Sequence, residues 1–204
     1  FATLRVANSI LEFNADGNAA DNRDSRGTNT AATIFLRQVQ PVIVNNVFTN
    51  NIGAIIDINA NAMVSDVMRD PGRSTGPLDV GVPDGRDTLS PATQFADNHG
   101  PLIRQNRFAD NDVNGLVVRG AKLSVESVWD DTDIVHVLQS EIIVDYHHTF
   151  SGLKLQSAVD ESLVIKLAGS TAGFTADGVP LDVDDRIGGT VQILGRPDFP
   201  VVLT

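Results

Sequence analysis

An all-β solenoid with long loop insertions is what this sequence predicts, and three observations carry the prediction. Val and Ile together number 38 of 204 residues, while Glu and Lys, the usual fillers of exposed helix faces, number 4 and 3. β-branched side chains suit a pleated, half-buried surface, and the 22 Asp, 15 Asn and 17 Gly suit turns. The second observation is an internal repeat. The third is short apolar runs that alternate with period two and recur along the chain.

The repeat is read without gaps. Residues 41–63, PVIVNNVFTNNIGAIIDINANAM, align with residues 101–123, PLIRQNRFADNDVNGLVVRGAKL. Pro41, Ile43, Asn46, Phe48 and Asn51 match Pro101, Ile103, Asn106, Phe108 and Asn111. Ile56, Ile58 and Met63 correspond to Leu116, Val118 and Leu123. A weaker copy near the start places Val6, Ser9, Leu11 and Asn14 in the same frame. Without the polar stretches between copies, the repeat length falls in the solenoid range of ~20–50 residues. Each copy reads as one coil of three short strands, too small to bury a core alone. Stacked coils, strand upon parallel strand, share an apolar interior. Ile43, Phe48, Ile56, Ile58, Phe108, Leu116 and Val118 are the expected interior. Asn14, Asn51 and Asn111 fall where each coil turns. Asn tolerates left-handed backbone and can bond to the Asn of the next coil, so these three are expected to form a turn ladder.

The C-terminal half keeps the strands and loses the Asn frame. DIVHVL (133–138), EIIV (141–144), GLKLQS (152–157), SLVIKL (162–167), TVQIL (190–194) and PVVL (200–203) alternate or run apolar. Further coils are expected, with a β-sandwich or jelly roll for this half as the alternative. No linker composition interrupts the chain, so residues 1–204 are read as one domain with loop insertions at about 15–30 and 68–100. The second insertion is rich in Pro and Gly, and long loops on rigid scaffolds are where binding concentrates. The chain opens on Phe1 and closes on Val201-Val202-Leu203-Thr204. Both ends read as cut, as expected of a segment of something longer.

Charge and composition exclude several functions. A net charge of −11 opposes nucleic acid and anionic membrane surfaces. No apolar run approaches the ~18 residues of a membrane span, so no membrane insertion is expected. The absence of cysteine removes disulfides and thiolate metal sites.

The stretches NNVFTNNIGAIIDINANAM and GPLIRQNRFADNDVNGLVVRG resemble the right-handed parallel β-helix modules of very large secreted or surface multi-modular bacterial proteins. The remainder, from SVWDDTDIVHVLQSEIIV onward, is similar to the segment that follows them there. The resemblance implies a non-catalytic structural or binding module of an extracellular or cell-surface polypeptide, of adhesion or matrix type. It implies carbohydrate or other modules of the same polypeptide as partners, and it supplies no catalytic residues.

The fold's other common use makes a polysaccharide lyase or glycoside hydrolase acting on an acidic polysaccharide the alternative. Glycoside hydrolysis needs two carboxylates flanking one bond, ~5–9.5 Å apart. The dense clusters are Asp130-Asp131-Thr132-Asp133 and Asp182-Val183-Asp184-Asp185. Asp130, Asp131, Asp133, Asp184 and Asp185 are therefore the catalytic candidates, weighed against solvated turns and caps. The only His-Gly pair, in Asn98-His99-Gly100, precedes both clusters, the reverse of polygalacturonase order. Arg104, Arg107 and Arg119 are read as surface partners of Asp110 and Asp112. His147 and His148 would point to opposite faces of a strand, which disfavours a shared metal. Either Ile134-His136-Leu138 or Val135 and Val137 face inward, with the outer face the expectation for His136; Trp129 reads as a core or end plug, with a carbohydrate-stacking platform as the alternative. No cofactor is expected beyond a possible calcium ion, which takes 6–8 hard oxygen ligands. Asp16, Asn18, Asp21 and Asp24 form the best local set for it.

Overall fold

The computed structural model describes residues 4–14, 32–64, 98–145, 151–178 and 189–204. The insertion at 15–30, almost all of that at 68–100, and His147-His148 lie outside them. Among the described residues eighteen strands follow one another in six triplets. The first three triplets are β1 (Leu4–Ala7), β2 (Ile10–Glu12) and β3 (Ala32–Leu36); β4 (Pro41–Val44), β5 (Val47–Thr49) and β6 (Ala54–Asn59); and β7 (Leu102–Arg104), β8 (Arg107–Ala109) and β9 (Val113–Arg119). The last three are β10 (Lys122–Leu123), β11 (Glu126–Trp129) and β12 (His136–Leu138); β13 (Glu141–Val144), β14 (Gly152–Gln156) and β15 (Val164–Leu167); and β16 (Gly173–Ala176), β17 (Thr190–Leu194) and β18 (Val202–Leu203). One 3-10 turn, Ala60–Ala62, follows β6. The described residues contain no helix long and apolar enough to cross a membrane.

Every pairing is parallel and joins a strand to its counterpart in the next triplet, except that β7 does not pair with β10, nor β8 with β11. The third strands form one six-stranded sheet, β3-β6-β9-β12-β15-β18. The others form four three-stranded sheets, β1-β4-β7, β2-β5-β8, β10-β13-β16 and β11-β14-β17. The C-terminal half is no sandwich or jelly roll. Those folds pair neighbouring strands antiparallel, whereas β10 to β18 pair parallel with strands three positions away.

Register stacks like on like. Ile34, Ile56, Leu116, His136, Ile165 and Leu203 occupy one column of the six-stranded sheet. Leu36, Ile58, Val118, Leu138 and Leu167 occupy the next column on the same face. Both columns run through the main core as far as Ile165 and Leu138, with Leu203 and Leu167 at their ends exposed; the core also holds Ile43, Phe48, Met63, Trp129, Ile142, Val144 and Leu155. Phe108 is partly buried against it and packs on Phe48, the rings tilted by 38° with centroids 5.6 Å apart. The alternate positions Val117 and Val137 face the other way and form a second cluster with Ala54. A side chain repeated in register packs on its own kind, which is why short strands suffice.

His136 corrects the sequence expectation of an outer-face residue. It is fully buried and lies flat against Trp129, with centroids 5.4 Å apart and planes 11° apart. The alternation in Ile134-His136-Leu138 was read correctly and its sense inverted. The valines took the other face because Val137 stacks on Val117. Burial lowers the His136 pKa to about 4, so the ring is neutral at physiological pH.

Candidate functional site

Two side-chain ladders line the turns of the first three triplets. Asn51 Oδ1 accepts from the backbone N–H of Asn14 at 3.0 Å and from its Nδ2 at 3.1 Å. Asn111 Oδ1 accepts likewise from Asn51, at 3.0 and 2.7 Å. Each Nδ2 also donates back to the preceding triplet, Asn51 to Leu11 O and Asn111 to Phe48 O. A second ladder repeats the pattern one turn earlier. Ser9 N–H donates to Asn46 Oδ1, and Asn46 donates to Asn106 Oδ1 from N–H and Nδ2. An amide offers its acceptor and its donors on separate atoms, so one side chain takes two hydrogen bonds from the triplet below on Oδ1 and returns one from Nδ2, which suits Asn to both frames.

The left-handed backbone is not at the ladder asparagines, where the sequence reading put it. It lies one residue earlier: Phe13, Asn50 and Asp110 precede one ladder at φ 54°, 53° and 55°. Asn8, Asn45 and Gln105 precede the other at φ 51°, 56° and 57°. That residue makes the bend, and the next one presents its amide along the stack. A recurrent polar residue is visible in sequence; which of two adjacent polar residues bends is decided by backbone sterics.

Both ladders stop at the third triplet, where the segment Asp130–Asp133 takes over. This loop between β11 and β12 lies along β7. Asp131 Oδ1 accepts the Ile103 N–H at 3.0 Å, and Asp133 Oδ2 accepts the Gln105 N–H at 2.6 Å. Both Asp130 oxygens accept the His99 N–H, at 3.3 and 3.1 Å. These are backbone donors of an edge strand and its flanks, which a following parallel strand would otherwise satisfy. Three carboxylates replace that strand.

Arg104 neutralises part of the loop. Its guanidinium donates to Thr132 Oγ1 at 2.9 Å, to Asp130 O at 3.1 Å and to Asp133 Oδ1 at 3.2 Å. Glu161 completes the group, accepting the Thr132 hydroxyl at 2.7 Å. Four carboxylates thus face one guanidinium and His99. Burial, with Asp130 beside it, holds the Asp131 pKa well above the ordinary carboxylate value, against the pull of Arg104. Burial also raises Asp130, with the His99 contacts opposing it. Arg104 is raised by Asp131 and Asp133 despite desolvation, its largest influence.

Asp131 is 1% exposed and Asp130 7%. Neither stands free to flank a sugar from solvent. The more accessible chemistry is His99, whose Nδ1 lies 2.8 Å from Asp130 Oδ2 with the His side chain 32% exposed. A neutral imidazole donating through Nδ1 keeps its lone pair on Nε2. The sequence reading missed this pair, as it missed Glu161. The partners stand 31 residues apart, and no local pattern links such positions.

Asp184 and Asp185 lie outside the described residues, as do Asp16, Asn18, Asp21 and Asp24. Among the described residues no group of three or more His, Asp or Glu is arranged to hold a metal. The arginines correct the expected pairing with Asp110 and Asp112. Arg104 serves the Asp130–Asp133 loop. Arg119 bonds Asp57 and Leu36 O and lies over the Phe35 ring, because register sets β9 beside β6. Asp112 instead accepts the Gly53 N–H at 3.0 Å. Trp129 is fully buried in the core. No known protein family, curated protein or solved structure matches this chain.

Proposed function

We propose that the chain is a non-catalytic structural or binding module of a large extracellular or cell-surface polypeptide, of adhesion or matrix type, wound as a right-handed parallel β-helix. The observation that carries the reading is the engagement of Asp130, Asp131 and Asp133. The best catalytic candidates are spent on backbone N–H groups of β7 and its flanks, so their chemistry is fastening. The winding is supported by the order in which the chain visits its sheets. Within each sheet successive strands lie three apart in the chain, and parallel crossovers are right-handed in about 98% of cases. Loops on a cross-linked scaffold are where binding concentrates, and the insertion at 68–100 is the proposed contact for carbohydrate or for a neighbouring module.

The test is incubation with a panel of acidic polysaccharides, followed by ultraviolet absorbance of unsaturated products and by reducing ends. Binding without turnover is the expected result. The second reading, a polysaccharide lyase or glycoside hydrolase, rests on the His99–Asp130 pair as a base. Turnover that disappears in both His99→Ala and Asp130→Asn would replace the first reading with it. Calcium belongs to the proposal through Asp16, Asn18, Asp21 and Asp24. A melting temperature that rises with millimolar Ca²⁺ but not Mg²⁺, and loses the rise in Asp16→Ala with Asp21→Ala, would place it there.

A further inference from the structure

We infer that the edge of β8 facing away from β5, with its flanking asparagines, is a docking site for an extended peptide that adds to the sheet as a parallel strand. This edge is made inside the chain. Asp133 holds the Gln105 N–H, and two residues on, Val135 O accepts the Leu116 N–H at 2.8 Å. Between those points the third triplet runs from Asn106 to Gly115, and the fourth has Ile134 alone. The fourth triplet takes a short cut, so the sheet β2-β5-β8 stops at β8 while β9 continues into β12. The step is set by residues 133–135, wherever the chain starts or stops.

The ladders show what is unfilled there. Lower in the stack, one Oδ1 of the next triplet accepts both the N–H and the Nδ2 of Asn14, of Asn46 and of Asn51. Among the described residues nothing does this for Asn106 or for the Asn111 N–H; Asn114 Oδ1 takes the Asn111 Nδ2 at 2.7 Å. The carbonyls are open in the same way. Asn46 O and Asn51 O accept the N–H groups of Arg107 and Asp112, and their counterparts Asn106 O and Asn111 O have no such donor among the described residues. Phe48 is 0% exposed under Phe108, whereas Phe108 itself is only partly buried.

That pattern commits the occupant. Amide donors interleaved with carbonyl acceptors match a polypeptide backbone added at a sheet edge. Oxygens above Asn106 and Asn111 call for carboxamides at that same spacing, with an apolar side chain between them to cover Phe108. The residue before the second carboxamide is glycine, because Phe13, Asn50 and Asp110 are left-handed at that place. Charge completes the frame. Arg107, Asp110 and Asp112 are exposed, so an acid suits the position over Arg107 and a base the position over Asp112. Asp133, which flanks the edge at Gln105, is held by Arg104. A second copy of β8 in this parallel register would set Arg107 on Arg107, Asp110 on Asp110 and Asp112 on Asp112, like charges face to face.

The probe is the capped peptide Asn-Glu-Phe-Thr-Gly-Asn-Lys, titrated calorimetrically into the full chain. Saturable one-to-one binding is expected, and its loss with the scrambled peptide. N-methylation of the peptide's Glu, whose N–H would meet Asn106 O, should weaken binding about tenfold or more, while N-methylation of its Phe, whose N–H points away from β8, should cost far less. Arg107→Glu should weaken binding about threefold or more with circular dichroism unchanged, and Lys in place of the peptide's Glu should restore it. No saturation by millimolar peptide, equal binding of the scrambled peptide, equal effects of the two methylations, or an affinity indifferent to Arg107→Glu would each overturn the inference. So would a dimer of the chain alone in sedimentation velocity that Arg107→Glu dissolves, since a second copy would then hold the edge.

Discussion

The two halves of the molecule solve one problem with different chemistry. In the first three triplets, turns are held by amide ladders and by six left-handed residues at recurring positions. Beyond Asp110 the described residues contain no left-handed non-glycine. There, turns approach so closely that a side chain is excluded. A Cβ on Gly169 would stand 2.0 Å from Gln139 O, and one on Gly189 would stand 2.0 Å from Val144 O. The interior differs in step, with paired Phe48 and Phe108 in the first half and Trp129, His136 and Phe174 in the second. Parallel stacking is thus indifferent to what holds its corners. It needs each turn to repeat its neighbour's geometry, by hydrogen bonds or by close backbone contact.

The sharpest way to break the comparison is to empty the second half's core. Trp129→Ala should destabilise by about 3–5 kcal/mol in urea unfolding, the usual range for a buried Trp. Acid should separate the halves next. The folded pKa of His136 is depressed from 6.5 to about 4, so its contribution is whole above pH 6.5 and is lost as pH falls toward 4. The loss should reach roughly 3 kcal/mol at pH 4. His136→Leu, flanked in its column by Leu116 and Ile165, should abolish it, leaving the variant more stable than the parent at pH 4–5.

In the first half, Asn51→Ala removes the middle of a ladder. It strands the Asn14 N–H and Leu11 O and should cost about 2–3 kcal/mol by urea unfolding. Asn111→Ala, at the ladder's end, should cost less. Equal costs would mean that the ladder does not act as a chain.

The smallest effect belongs to the junction, and its sign is the informative part. Asp131 has a raised folded pKa, so its contribution grows more favourable as pH falls and is a penalty above that pKa. Asp131→Asn keeps an acceptor for the Ile103 N–H and removes a buried charge. It should be neutral to about 1 kcal/mol stabilising at pH 7. The gain should vanish below the ordinary Asp value of 3.8. Destabilisation at pH 7 would mean that attraction to Arg104 outweighs the burial of the charge.

Much of this was legible in the chain. The five identities between 41–63 and 101–123 imply equivalent strands, and Ile43 pairs with Ile103 and Phe48 with Phe108. The alternation around His136 was legible as well, but not its sense. An alternating strand offers two faces, and the neighbours in register decide which is interior. The role of Asp130–Asp133 was not legible, since an acidic turn looks the same whether it meets water or the edge of a strand.

Sequence alone therefore determined the β class, the parallel stacking of like residues and the recurrence of asparagine at the turns, because each is written in local periodicity. Tertiary structure alone decided where the ladders stop, which sheets begin beyond them and what the carboxylates do. Those outcomes depend on which backbone groups lack a partner once the strands have stacked. Asp131 and Ile103 are 28 residues apart in the chain and 3.0 Å apart in the fold. The cost of leaving a buried N–H unpaired joins them, and that cost exists only when the chain is folded.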